Sequence, residues 1–359
     1  MPAHHVGIVG VGAIGLASAA ALMDRGHAVT LWAPRGPAPH PLLSAPLTAQ
    51  GAVSGEFRPA VAADPAALCA AADTLLVAVP ANGHRTVMDA ILPHLRPGQV
   101  VIVSSMASLS ALYLYEAAQA RGVAVTVAAF GTTVLTARRT DPCAVRVMTR
   151  RAALGVSALP APRADEMVAL CTRLFGDGFS AQANVLETAL TNINPEAHGP
   201  LAVFNWTRIE RAEHWPQYHY MTPRVAAVIE RLEAERQALA AAFGVQVRSI
   251  ERHFAQSFGT RSERLADIAA ELHAARGGPP GPTDTGTRFL AEDMPFGLVF
   301  CDELGRIAGV PTPATRTMAD VASLIAGRDF AADNDLLLPL GLAGETIESL
   351  VARVSGGAD

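Results

Sequence analysis

An apolar strand running straight into a glycine-spaced turn narrows the folds open to this chain more than any other feature. The segment reads His5-Val-Gly-Ile-Val-Gly10-Val-Gly12-Ala13-Ile14-Gly15-Leu-Ala, a G-x-G-x-x-G between a strand and an alanine-rich helix. In that context each glycine answers a separate demand. Gly10 makes the tight turn, Gly12 lets the backbone come close to a pyrophosphate, and Gly15 allows close helix–strand packing. The helix start, with Ala13 and Ile14 in its first turn, then aims free N–H groups at phosphate charge. Gly10, Gly12, Ala13, Ile14 and Gly15 are therefore the expected dinucleotide-binding residues.

The strand–helix plan of this turn recurs downstream. Apolar strand candidates at 5–9, 28–32, 74–79, 99–104, 123–129 and 144–149 alternate with helix candidates at 12–25, 65–72, 83–92 and 109–121. Most of the strands are near-continuous Val/Ile/Leu/Ala runs, as strands covered on both faces should be. From 151 to 162 the pattern loosens, and a helix at 164–175 closes at Gly176. Beyond about Ser180 the text turns helical. The expected fold is α/β, a Rossmann-type doubly wound parallel sheet over residues 1–183, followed by an all-α substrate domain over 184–359.

The second strand bears on which dinucleotide is bound. An acidic residue at its end would bond a free ribose 2′-OH. Here the chain continues Trp32-Ala33-Pro34-Arg35, with no carboxylate and with an arginine suited to a 2′-phosphate. NADP is therefore favoured over NAD. Val79 and Pro80, at the end of the 74–79 strand, are expected to flank the cofactor, because the C-terminal strand ends line the crevice in such folds.

Composition excludes several classes. The net charge is −5 and no basic stripe stands out, which argues against nucleic acid as a partner. No apolar run approaches the roughly 18 residues of a membrane span, and the N-terminus does not read as a signal peptide, so the expected location is cytoplasmic. Cys69, Cys143, Cys171 and Cys301 are widely separated and are read as buried thiols. No metal-ligand spacing appears among the histidines. All 28 basic residues are arginine. Without lysine, the chain has no Schiff-base amine, lysine general acid or P-loop phosphate clamp.

In the second half the clearest helix spans 223–243, with Val225, Val228, Ile229, Leu232, Leu239 and Phe243 forming one apolar stripe. Thr222 and Gly244 suit its ends. Glu230, Glu233, Glu235 and Arg236 are expected on its solvent face. Upstream, Asn194-Pro195-Glu-Ala-His198-Gly-Pro200 opens another helix, with Asn194 as its cap and a bend at Pro200, which lacks an N–H. Spacing alone leaves His198 more often a structural residue than a catalytic one.

The chain resembles the opine dehydrogenases (octopine/nopaline dehydrogenase family) over most of its length. The resemblance rests on the glycine turn and on Asn-Pro-x-x-His at 194–198. It extends to the 223–244 helix with its Glu233-Ala-Glu-Arg236 core, and to Arg288-Phe-Leu-Ala-Glu-Asp293-Met-Pro295-Phe-Gly297. Arg-x-x-x-x-Asp-x-Pro is the most specific piece. The resemblance implies reductive joining of an amino acid or amine to a 2-oxo acid, giving a secondary amine. It implies His198 as the catalytic histidine, Asp293 as its carboxylate partner and Arg288 as the holder of a substrate carboxylate. These residue types suit the chemistry. An imidazole can donate the proton of an imine reduction, a neighbouring carboxylate fixes its tautomer and raises its pKa, and a guanidinium binds carboxylates bidentately.

The chain departs from the family's wording in three places. Thr132 to Arg139 stands where Pro-Tyr-x-x-Arg is common, Gly199 separates His198 from Pro200, and Trp215 to Met221 lacks the usual Phe-Tyr-x-Glu-Gly. These bear on the substrate more than on the reaction. Two competing readings are a ketopantoate- or glycerol-3-phosphate-type reductase, against which the missing lysine counts, and a non-enzymatic NADP-binding redox sensor. An apolar helical second half is compatible with a homodimer.

Overall fold

Strand β1 (His5–Val9) pairs in parallel with β2 (Ala28–Trp32) on one side and β6 (Thr74–Val77) on the other. The parallel ladder continues outward from β2 to β5 (Ala60–Val61), and from β6 through β7 (Val100–Val103) to β8 (Thr126–Ala129). Strand β11 (Leu154–Leu159) then adds antiparallel to β8, and β12 (Phe179–Ala181) lies parallel to β11. The eight-stranded order is β12-β11-β8-β7-β6-β1-β2-β5. This is a computed structural model that describes residues 4–35 and 40–357. Its contacts group into two units, residues 1–189 with 352–359, and residues 190–351.

The first unit holds a second, four-stranded sheet. It is built from β3 (Leu47–Gly51), β4 (Gly55–Phe57), β9 (Leu135–Asp141) and β10 (Ala144–Arg150), in the order β4-β3-β10-β9. The strand expected at 144–149 belongs here and not to the parallel sheet. Its side chains alternate, with Val145 and Val147 buried and Arg146 and Met148 exposed. That pattern marks a strand with one solvated face. The loosened stretch at 151–162 contains β11, where Gly155 and Ser157 dilute the apolar run although the strand is mostly buried.

Helix α1 (Ala13–Asp24) packs against both sheets, which explains its composition. Its sequence AIGLASAAALMD has no polar stripe, and Leu16, Ala17, Ala19, Ala20 and Leu22 are fully buried. A helix that is apolar all round must be covered all round. Helices α2 (Pro65–Ala71), α3 (His84–Ile91), α4 (Ser110–Ala120) and α5 (Ala164–Phe175) complete the α/β layering. Three of the cysteines are buried free thiols, whereas Cys143, in the β9–β10 turn, is partly exposed.

After α6 (Val185–Thr191) the chain is helical. The order is α7 (Asn194–Phe204), α8 (Trp206–Glu210), α9 (Gln217–Tyr220), α10 (Pro223–Ala242), α11 (Ile250–Phe258), α12 (Leu265–Arg276) and α13 (Arg288–Ala291). A π-helical turn, Met294–Val299, leads into α14 (Phe300–Ala308) and α15 (Pro313–Ala326). Three shorter helices come next, α16 (Phe330–Asp333), α17 (Leu337–Leu340) and α18 (Ile347–Val354). The cap expected of Asn194 is supplied by Asn192, whose side chain accepts from the Asn194 N–H at 3.1 Å, and α7 runs on through Pro200.

Helix α10 keeps a solvated face that includes Glu230, Arg231, Ala234 and Ala238, but of the other charges expected there Glu235 is partly buried and Glu233 and Arg236 are buried. Glu233 and Arg236 are 5% and 1% exposed and form a two-pronged ion pair at 2.8 and 2.9 Å. Arg236 also donates to the carbonyls of Leu190 and Arg248. Glu235 accepts the N–H groups of Ala314 and Thr315 at the start of α15, and Glu230 accepts from the Leu265 N–H. The helix touches α7, α12, α14 and α15, so more than its apolar stripe is covered.

Candidate active site

At the turn between β1 and α1, a Cβ built on each glycine separates their roles. Gly10 has φ +113°, and a Cβ there would lie 2.7 Å from the Ala78 carbonyl oxygen and 2.9 Å from a methyl of Val79. On Gly15 a Cβ would lie 2.1 Å from the Gly10 carbonyl oxygen, so helix and turn meet there backbone to backbone. A Cβ on Gly12 would meet nothing within 4 Å. Gly12 is exposed, and as the N-cap of α1 it offers no side chain to the first-turn N–H groups. Ala13 and Ile14 of that turn are partly exposed. An open cradle at the N-terminus of a helix suits a pyrophosphate.

The other expected cofactor residues lie at strand ends of the same sheet. The Ala78 N–H donates to the Val9 carbonyl at 2.9 Å, so the continuation of β6 runs beside the glycine turn. It carries Val79, partly buried, and Pro80, exposed. Arg35 is exposed three residues beyond β2, and among the described residues no carboxylate pairs with it.

In the second unit, two glycines let α7 and the π-helical turn approach closely. A Cβ on Gly297 would sit 2.3 Å from the Pro195 ring, and one on Gly199 would sit 3.0 Å from Leu298. This packing brings together side chains that are 95 positions apart in the chain. The Nδ1 of His198 lies 2.8 Å from an Oδ of Asp293, with the side chains 13% and 9% exposed. Because a carboxylate only accepts, Nδ1 carries the proton and Nε2 is left for another partner. Asp293 precedes the π-helical turn without capping it. Phe289 stacks flat on the imidazole, with centroids 3.6 Å apart and planes within 5°.

Burial pushes the His198 pKa below its ordinary 6.5. Asp293 pulls it up, by charge and by hydrogen bond, and Arg288 pushes it further down. The carboxylate therefore acts in the direction expected of it, but desolvation outweighs it. Arg288 opens α13 in an exposed position, and no carboxylate among the described residues pairs with it. Its guanidinium carbon lies 6.0 Å from the Phe289 ring centroid. The second unit thus offers a proton-carrying imidazole, a carboxylate that orients it and a guanidinium, free of any carboxylate, whose charge the imidazole feels.

Sequence reasoning passed over Glu196, two residues before His198. It is 2% exposed, one of its carboxylate oxygens has no partner, and burial pushes its pKa up to about 8 despite the opposing charge of Arg236. Its place within Asn-Pro-x-x-His was visible, but its burial was not. Also missed was Phe289, although it adjoins Arg288 in the motif. Among the described residues no group of three potential ligands is arranged to hold a metal, and no helix is long and apolar enough to cross a membrane.

Comparison with known proteins matches two stretches of the chain to separate families. Residues 181–326 match the family described as NAD/NADP octopine/nopaline dehydrogenase, alpha-helical domain. Residues 6–160 match ketopantoate reductase PanE/ApbA. An opine dehydrogenase of Arthrobacter sp. (strain 1C) is 30% identical over 285 residues, 79% of each chain. Among solved structures, octopine dehydrogenase with NADH and L-arginine superposes with a TM-score of 0.80 at 18% identity, covering 99% of both chains. Yersinopine dehydrogenase with NADP+ bound gives 0.72 at 16% identity over 99% of this chain and 98% of that one. A PanE/ApbA family ketopantoate reductase from Ralstonia eutropha JMP134 gives 0.62 at 18% identity over 90% and 98%.

Proposed function

The chain belongs to the opine dehydrogenase family of NAD(P)-dependent oxidoreductases, and from that premise we propose that it reductively condenses an amino acid or amine with a 2-oxo acid. The amine and the keto group lose water to form an imine, and addition of a hydride and a proton to it gives a secondary-amine opine. The observation that carries this reading is the His198–Asp293 hydrogen bond at 2.8 Å, together with the charge of Arg288, which acts on His198 and which no carboxylate among the described residues pairs.

Each residue has a definite part. Gly10, Gly12, Ala13, Ile14 and Gly15 would hold the reduced nicotinamide dinucleotide, which would supply the hydride. Arg288 seats a substrate carboxylate as a bidentate partner. His198 donates a proton from Nε2, while Asp293 holds its Nδ1–H and so fixes which nitrogen does the work. Phe289 keeps the ring plane in place. Donation from Nε2 requires the imidazolium, which burial disfavours in the free protein, so the ring takes up that proton as substrate binds. A carboxylate seated on Arg288 offsets the one charge that disfavours the imidazolium.

Arg35 and the missing acidic residue at the end of β2 favour NADPH over NADH. The chain's lack of lysine tells against ketopantoate-type chemistry, despite the match over residues 6–160.

Oxidation of NADPH, and in parallel NADH, with pyruvate and a panel of amino acids and amines tests the assignment. Turnover is expected to need both co-substrates. His198→Asn is expected to lower turnover by at least roughly a hundredfold while the protein still binds cofactor. Turnover with the oxo acid alone, or undiminished turnover in the variant, rejects the mechanism.

A further inference from the structure

His84 opens α3, is completely buried, and belongs to none of the motifs above. Its two ring nitrogens face two different strand ends. Nε2 lies 3.2 Å from the carbonyl oxygen of Val79, just past β6, and Nδ1 lies 2.9 Å from Oγ of Ser110, the first residue of α4. A carbonyl can only accept, so Nε2 carries the hydrogen. Burial pushes the pKa of the ring down to about 4, so at neutral pH Nδ1 is bare and accepts from the serine hydroxyl. Both bonds are directional, and the ring has no third partner to satisfy.

The two strand ends so joined are those beyond β6 and β7, on the carboxyl side of the parallel sheet where ligands bind in this architecture. The segment after β7 is not relaxed backbone. Between β7 and α4 the residues Ser105, Ser108 and Leu109 all have positive φ, at 60°, 46° and 57°, without being glycine. Such backbone persists only where its surroundings over-determine it, and it gathers at ligand clamps. The segment is held from one side by the Met106 N–H on the Phe130 carbonyl, at 2.8 Å, and at its end by Ser110 on His84. On the other arm, the Val79 side chain stands 2.9 Å from where a Cβ of Gly10 would be. A line of contact therefore runs from Ser110 through His84 and Val79 to the first glycine of the turn.

We propose that His84 is a positioning residue for the dinucleotide: it pins the β6 and β7 strand ends in the conformation that receives the cofactor beside the Gly10 turn. This rests on dinucleotide binding at that turn and adds a residue that does not itself touch the cofactor.

The test is the affinity for NADPH and NADH, by fluorescence titration of the full chain, with thermal melting alongside. His84→Ala is expected to weaken cofactor binding about tenfold, on the order of two lost neutral hydrogen bonds. It should raise the KM for cofactor while kcat at saturating cofactor stays within about twofold. His84→Gln keeps one donor and one acceptor and is expected to recover most of the affinity. Ser110→Ala, the mildest change, should weaken binding in the same direction by a smaller factor, and it decides the matter if His84→Ala does not fold. Lower melting temperatures with unchanged affinity in the folded variants would mean that the histidine is only structural and overturn the proposal. So would a fall in kcat with affinity intact. Wild-type protein that binds neither nucleotide would instead sink the dinucleotide site itself.

Discussion

Glu196 shows how far a residue's surroundings can reverse its ordinary chemistry. A carboxyl with a pKa of about 8 in the fold, against 4.5 for an ordinary glutamate, holds its proton at neutral pH. A group whose folded-state pKa is raised contributes stability fully below pH 4.5 and loses it as pH rises through about 8. Glutamine cannot ionise, so Glu196→Gln should melt close to the wild type at pH 5 and progressively above it toward pH 9. A constant difference across that range would show that the buried carboxyl is charged throughout. His198 and Asp293 were legible as residues because their wording is distinctive. Their contact was not, because it depends on Gly297 meeting Pro195 and Gly199 meeting Leu298. That the pKa of His198 falls rather than rises was hidden for the same reason, since desolvation is a property of the packed site.

At the scale of elements, α1 and α10 make opposite cases. The sequence of α1 has no polar face, and the structure buries it from Gly15 to Leu22. The charges of α10 looked like a solvated surface, yet Glu233 and Arg236 lie in the interior. A charged pair spaced three apart on a helix reads the same whether it faces water or a neighbouring helix. Inside, the guanidinium is held by both carboxylate oxygens and two backbone carbonyls. Removing one partner strands the other. Arg236→Met is expected to cost about 3–5 kcal/mol in denaturant unfolding, as is usual when a buried pair is broken. Replacing both, with Glu233→Leu and Arg236→Met together, should cost clearly less. If the single and double changes cost the same, the ion pair is not what Arg236 contributes.

At the scale of the whole molecule, the residues expected to bind cofactor lie within 1–189 and those expected to handle substrate lie within 190–351. The two tasks should therefore be separable by mutation. Gly12→Val places a side chain where the protein itself has nothing within 4 Å. The melting temperature should then hardly move, while NADPH affinity falls by about a factor of ten or more, at least about 1.4 kcal/mol. Gly15→Val would put its side chain against the Gly10 carbonyl and should destabilise the fold itself. Equal stability losses in the two variants would remove the distinction between a ligand-facing glycine and a packing glycine.

The chain's own letters were enough for the parallel sheet, the glycine turn, the helical second half and the wording that singles out His198, Arg288 and Asp293 as candidates. All of these arise from local periodicity, local steric demands or distinctive short wording. Folding in three dimensions was needed to move 144–150 into a second sheet, to bury Glu233 and Arg236, to leave Glu196 half satisfied, and to join Ser110 to Val79 through His84. Those outcomes depend on which neighbours arrive from distant parts of the chain and how much water they exclude, and no local pattern carries that information.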